Sequence, residues 1–363
     1  MNTDELIEKR VSKVVQYYSQ IETDILSILA RHFKDNKEFL NSDYWRIQKL
    51  EELGVFNEEI VEYIAKQSKT SKMLVKNALK EVGFDTINYS KLSNLYDEGQ
   101  IIVRPEQVLD NPVLSSIIKV NQDNASENFI QLNGLIKGAS TQAYLDVVER
   151  AYIEVSMGTK SYDEAIRQAL DLLGNKGIQV MTYATKDGKL RHYTIEGMAR
   201  REILTATRGI NATLTMEMID ELKPEYLYLS EHLACRPTHF DWQGTVIKTE
   251  DLTLEPVNYG LVDGICGINC KHYFEPFYGD PKSVKKKYTK EQCAKYYKLS
   301  QRQRYLERGV RAWQRQEAIA EGLMDEKYIK HTKYKLNYWR KRLNNFVVDN
   351  DLQRDFTREY IYR

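Results

Sequence analysis

The stretch Ile178-Gln179-Val180-Met181-Thr182-Tyr183-Ala184-Thr185 alternates apolar and polar side chains, and Arg191-His192-Tyr193-Thr194-Ile195 alternates again. Between them stands Asp187-Gly188, a dipeptide that favours the tight turns whose twist matches paired strands. The spacing predicts a β-hairpin. This reading decides the fold class, because the sequence on both sides repeats at three and four, the helical period. The chain is therefore expected to be α+β and mainly α, not a helical bundle alone.

Working towards the N-terminus, residues 161–174 read as one helix, started by Ser161 or Asp163 and stopped near Gly174. Residues 114–158 carry a stripe of Tyr144, Leu145, Val148, Tyr152 and Val155, while 86–112 are less regular, with Pro105 and Pro112 as breaks. Val11, Val14, Val15, Tyr18, Ile21, Ile25, Ile28 and Leu29 mark the face of a first helix. A second is expected over 43–53 with Gly54 as a left-handed cap. Asn57 would N-cap the next, with Ile60, Ile64 and Ala65 inward, and Thr70 or Ser71 would start another that stops near Gly83.

Towards the C-terminus, a helix over 196–222 is stopped by Pro224, and short strands are expected at 226–229 and 245–249. Two basic helices follow, over 289–315 and 327–346. This gives three expected regions: a helical N-terminal region over 1–158, a central small α+β domain with short antiparallel strands over 159–281, and a basic helical C-terminal tail over 282–363.

The chain has 363 residues, with 18 Gly and 7 Pro, which excludes collagen-like and linker-rich architectures. Its 25 Tyr against 10 Phe and 4 Trp give many rings a hydroxyl suited to half-buried positions. No window approaches 18 apolar residues, and the N-terminus lacks the basic-then-apolar order of a secretory signal. A soluble intracellular product is expected. The formal charge of +1 hides an asymmetry. Residues 271–363 hold 23 Lys and Arg against 12 Asp and Glu, a charge of +11, whereas 1–270 hold 30 against 40, a charge of −10.

Four cysteines fall within 59 residues, and His232, Cys235, His239, Cys266, Cys270 and His272 fall within 41. The spacings are His-x2-Cys-x3-His and Cys-x3-Cys-x-His. Zinc takes four N or S ligands in a tetrahedron, commonly as two short-spaced pairs. Gly260, Gly264 and Gly267 would let the second pair bend tightly. Six candidates for four places make at least two of them bystanders. The cofactor expected is a structural Zn2+, and the competing reading is buried thiols, a capped histidine and a hydrogen-bonded turn. Glu231, Asp241 and Asp263 lie nearby, but none sits in a hydrolase frame such as H-E-x-x-H. No phosphate loop, dinucleotide fingerprint or serine elbow is present.

The block from Ser230 to Gly244, Ser-Glu-His-Leu-Ala-Cys-Arg-Pro-Thr-His-Phe-Asp-Trp-Gln-Gly, resembles the phage minor capsid protein 2 family, whose body carries a serine, a histidine and then Arg-Pro-x-His-x-x-Trp-Gln-Gly. Cys266-Gly267-Ile268-Asn269-Cys270-Lys271-His272, followed by Pro276-Phe277-Tyr278-Gly279, is similar to the family's Cys-Gly-x-Asn-Cys-Arg-His block. Gln301-Arg302-Gln303-Arg304-Tyr305-Leu306-Glu307-Arg308 is similar to its late basic helix, and residues 200–207 stand in the place of its arginine-and-threonine helix. Lys271 stands where arginine is common, and Cys235 where a small residue is common.

The resemblance implies a structural minor capsid or head-morphogenesis protein of a tailed phage, related to Mu-type head-morphogenesis proteins. Its implied partners are the portal and capsid proteins, with packaged double-stranded DNA as a further one and no membrane. Its implied place is the virion, in the capsid interior or at the portal vertex, with the host cytoplasm during assembly. It is read as no enzyme, and the alternative is a zinc-dependent hydrolase or toxin-like effector carried in the virion. In the tail, Lys285, Lys286, Lys287, Lys290, Arg304, Arg308, Arg311 and Arg315 are the nucleic-acid-binding candidates, the four arginines at steps of four, three and four on one helical face. That stripe fits DNA phosphates, an acidic portal surface or a solvated helix face. Trp242 is read as a core anchor, and Arg200 and Arg201 as either pairing with carboxylates of a neighbour or solvating the helix, the latter being the default for exposed arginines.

Overall fold

In the computed structural model, which describes residues 3–34, 41–86, 89–105, 107, 111–185, 188–252, 259–260, 264–266 and 270–359, the hairpin forms where the alternation puts it. Strand β1 (Gln179–Ala184) pairs antiparallel with β2 (Leu190–Thr194), with a bulge between Gln179 and Met181. Gly188 takes φ +75, while Asp187 lies outside the described residues.

The other elements are helical for most of the chain. They are α1 (Thr3–Arg31), α2 (Ser42–Thr86), α3 (Tyr89–Asp97), α4 (Asn111–Ser156), α5 (Tyr162–Lys176) and α6 (Ile195–Leu222), then α7 (Lys290–Leu323) and α8 (Glu326–Asp349). Between α6 and α7 lies a second sheet of β3 (Tyr226–Leu229), β4 (Val246–Lys248) and β5 (Phe274–Phe277) in the order β4-β3-β5. The fold is α+β and mainly α, with two small antiparallel sheets.

The chain divides into two compact units. One comprises Met1–Val11, Val75–Ser126 and Arg201–Arg302, and the other comprises Ser12–Leu74, Glu127–Arg200 and Gln303–Arg363. Each unit thus draws on the beginning, the middle and the later part of the sequence, and α1, α2, α4, α6 and α7 each contribute residues to both.

In the second unit, α1, α2 and α4 bury Ile25, Leu29, Trp45, Phe56, Ile60, Leu132, Tyr144 and Val148. Tyr144 stacks on Phe56 at 4.9 Å, and its hydroxyl donates to the Lys49 carbonyl at 3.0 Å. Tyr63 donates to Asp24 at 2.6 Å and Tyr328 to Gln316 at 2.6 Å. The abundance of tyrosine is explained at such places: the ring fills the packing and the hydroxyl satisfies a polar group on the next helix.

One expectation about this region is corrected. The three short helices expected between residues 43 and 83 are one helix, α2. Nothing lies within 4 Å of a Cβ built on Gly54, and the Asn57 side chain accepts from Thr141 at 2.7 Å rather than capping a helix start. Cap and glycine signals weigh about 1 kcal/mol each. Continuous burial of Trp45, Phe56, Ile60 and Ile64 weighs more, at about 1.5–3 kcal/mol per large side chain. Helix α5 begins as expected, with a full capping box between Ser161 and Glu164, and runs on to Lys176.

In the tail, α7 and α8 pack through Leu306, Val310, Leu336, Leu343 and Val347, with Trp313, Trp339 and Phe346 at the edge. In the first unit, the three-stranded sheet and α6 enclose a small core of Ile219, Leu227, Leu229, Leu252, Ile265 and Phe274. Trp242 packs on this core, as expected of an anchor.

Candidate metal centre

The histidines and cysteines arrive on two segments flanking β4. A short helical turn at Pro237–His239, entered through the extended Arg236, presents His239 inward. Four residues on, Gln243 is fully buried. The second segment turns at Cys266, whose φ of +61 is rare outside glycine, and returns through Cys270 and His272 into β5. Gly267 lies outside the described residues.

The six candidates separate into three roles. His239, Cys270 and His272 are all buried, and one donor atom of each lies within 4.8 Å of the others. The Cys270 sulfur is 3.6 Å from His239 Nδ1 and 3.3 Å from His272 Nδ1. His232 lies with its ring 4.6 Å from that of His272, outside the trio. The Cys266 thiol donates to the His272 carbonyl at 3.1 Å. Cys235 is turned to Cys293, with which it shares a hydrogen bond.

Gln243 organises these groups. Its Oε1 accepts from the His232 backbone N–H at 3.1 Å and lies 3.2 Å from His272 Nε2, while its Nε2 donates to the Cys293 sulfur at 3.3 Å. An amide oxygen only accepts, so His272 carries its proton on Nε2 and turns a bare Nδ1 towards Cys270. Burial, and the neighbouring His232 and His239, push the His272 pKa down to about 3. Burial and Lys271 take His232 down to about 4, and burial with Arg236 lowers His239. All three imidazoles are therefore neutral at pH 7. Burial raises the Cys270 thiol, partly offset by backbone hydrogen bonds from His272 and Cys266 to its sulfur.

Two neutral imidazoles and a sulfur facing one point are a donor set for a borderline divalent ion. No carboxylate joins them among the described residues. Glu231 accepts the Lys287 backbone N–H at 2.8 and 3.0 Å, Asp241 is exposed, and Asp263 lies outside the described residues.

Gln243 and Cys293 carried no spacing signal: a lone glutamine and a cysteine 23 residues beyond Cys270 are visible only as composition. Lys286 is a further contributor. Its Nζ donates to the Phe240 and Asp241 carbonyls at 2.7 and 2.8 Å, just after His239, and lies over the Phe240 ring.

The nucleic-acid candidates divide between the two units. Lys285, Lys286, Lys287 and Lys290 belong to the first and are exposed. Of the arginines in the second, Arg308 is exposed and Arg304 half-buried. The single arginine face does not stand open to solvent. Arg315 is buried, with Nε donating to the Gly174 carbonyl at 2.8 Å and a guanidinium nitrogen 3.9 Å from Glu22. Arg311 lies 3.2 Å from Glu196 and donates to the Arg358 carbonyl at 2.8 Å. The solvated reading of Arg200 and Arg201 is likewise corrected: Arg200 lies 3.7 Å from buried Glu196, and Arg201 pairs with Glu202 at 2.6 Å.

The chain is matched over residues 3–348 by the family described as phage minor capsid protein 2. The chain belongs to that family of phage structural proteins. A structural protein of Lactococcus phage LL-H is 25% identical over 331 residues, covering 87% of this chain and 88% of that one. A structural protein of Lactococcus phage mv4 is 29% identical over 111 residues, 30% of this chain and 90% of that one. No solved structure matches. A place in the phage particle follows from the family, and among the described residues no helix is long and apolar enough to cross a membrane.

Proposed function

We propose that this minor capsid protein acts without enzymatic activity in head morphogenesis, docked on portal and capsid proteins, with its lysine segment against packaged DNA. The observation that carries the DNA part is the segment itself. Lys285, Lys286, Lys287 and Lys290 are all exposed within six residues, and the segment is anchored at Lys286 and Lys287. Glu231 fixes the Lys287 amide, and Lys286 is tied to the Phe240 and Asp241 carbonyls. A preformed cationic segment meets phosphates without first losing chain entropy, and its contacts are sequence-independent and salt-sensitive.

The test is a titration of the full chain with duplex DNA over a range of salt. Each phosphate contact contributes about 0.9 to the slope of log K against log salt. Replacing Lys285, Lys287 and Lys290 with glutamate is expected to abolish binding. Absence of binding at low salt removes the DNA reading. Co-sedimentation with the phage's own portal protein tests the docking, and a chain that does not co-sediment removes it.

A further inference from the structure

We infer that His239, Cys270 and His272 bind a zinc-class divalent ion through Nδ1, Sγ and Nδ1, with Gln243 as the residue that positions His272. Two of the three edges of a coordination face already stand at tetrahedral spacing, and the third lies within 4.8 Å. With Zn–S of about 2.3 Å and Zn–N of about 2.0 Å, tetrahedral angles set each S···N edge at about 3.5 Å. The two observed edges are 3.6 and 3.3 Å. The Cys270 sulfur thus stands at coordination spacing from two buried imidazoles, one on each segment.

The surroundings fit an ion as well as the donors do. A histidine that ligates a metal through one ring nitrogen donates its other N–H to a fixed acceptor, which sets tautomer and ring angle. His272 has that acceptor in Gln243, itself locked by the His232 amide and Cys293. The Cys270 sulfur accepts backbone hydrogen bonds from His272 and Cys266, as a thiolate requires. Cys235 and Cys266 are turned away from the ligand set, since Cys235 faces Cys293 and the Cys266 thiol is bonded to the His272 carbonyl, while His232 stands beside the trio with its ring 4.6 Å from that of His272. Three protein ligands leave the fourth tetrahedral position to solvent or to a group outside the described residues. The ion would tie the 237–243 segment, which leads into β4, to Cys270 and His272, which lead into β5, the role of a staple.

The test uses the full chain and Co2+ as the probe. Purified protein stripped of metal is titrated with Co2+, and the visible bands of a tetrahedral site and the near-ultraviolet thiolate-to-cobalt band are recorded. The expected result is one ion per chain with both signatures. Cys270→Ser is expected to lose the thiolate band, while Cys235→Ser and Cys266→Ser keep it. Gln243→Leu is expected to weaken the ion's affinity 10- to 100-fold. A folded wild-type chain that takes up no Co2+ overturns the inference, and this arm does not depend on whether any variant folds. A thiolate band that survives Cys270→Ser and vanishes in Cys235→Ser overturns the ligand assignment. Neither outcome bears on DNA binding, which the lysine variants test separately, or on portal docking, which co-sedimentation tests.

Discussion

Arg311 Nε lies 3.2 Å from Glu196 Oε2, joining the middle of α7 to the first turn of α6. Glu196 is buried, yet its carboxyl is held below the usual range. Burial raises it, but Arg311, Arg200, Arg315 and Arg358 together outweigh burial. Glu22, equally buried, goes the other way: burial raises its carboxyl and Arg315 only partly offsets that.

The two glutamates should therefore respond differently to removal of charge. A depressed carboxyl stabilises the fold above the unfolded pKa of about 4.3, and that stabilisation is lost as pH falls through the folded pKa. Glu196→Gln is expected to cost about 3–5 kcal/mol at pH 7 because it strands buried guanidinium groups. The cost should shrink in acid. A raised carboxyl has the opposite sign, favouring the fold at low pH and losing that advantage as pH rises through the folded pKa. Glu22→Gln, which keeps an oxygen for the Ile178 amide 2.9 Å away, should cost less at pH 7 than Glu196→Gln. Urea denaturation of both variants from pH 3 to 8 checks the ordering.

Arg315 and the lysine segment should separate stability from DNA affinity. Arg315→Gln breaks bonds to the Gly174 and Asn175 carbonyls and leaves Glu22 without its guanidinium. It is expected to lower the denaturation midpoint and leave the DNA affinity of the remaining folded chain unchanged. Lys285→Glu is expected to do the reverse. Binding isotherms paired with urea curves for each variant read both effects.

Two helical glycines should give opposite results. A Cβ on Gly309 would run into the Trp339 ring, so in Gly309→Ala the ring or its helix must shift. Overpacking of this kind costs about 1–3 kcal/mol. Gly54 lies within α2 with open space around it, and Gly54→Ala is expected to gain about 0.4–1 kcal/mol. Midpoint shifts at unchanged m-value check the pair.

The thiols should differ in reactivity. Burial, and Cys293 beside it, push the Cys235 thiol up to about 12, so almost no thiolate is present at pH 8. Cys235 is expected to resist iodoacetamide until the chain unfolds, whereas half-buried Cys266 labels first. Mass spectrometry of peptides from native and denatured samples reads the order. Early labelling of Cys235 would contradict the burial seen here.

The local elements were legible because local rules fix them. The alternation at 178–195 gave the hairpin, Ser161 and Glu164 gave the start of α5, and Pro224 gave the end of α6. The boundaries inside α2 were misread because Gly54 and Asn57 speak only for their own turn, whereas the buried face from Trp45 to Ile64 speaks for the whole helix. β5 was missed because Phe274-Glu275-Pro276-Phe277 is too short to show a period before β3 offers it a partner.

At the site, the residue types and spacings determined that thiols and imidazoles crowd into one stretch, and the motif order determined the family. Which three of six donors meet was decided only by tertiary structure, because the distance from Cys270 to His239 depends on how the segments leading into β4 and β5 come together once both strands pair with β3. The same holds for the basic tail. Sequence sets its charge, but whether an arginine faces solvent or a buried glutamate depends on residues far away in the chain, such as Glu22 for Arg315. Charge is a property of composition, whereas its availability to a partner is a property of packing.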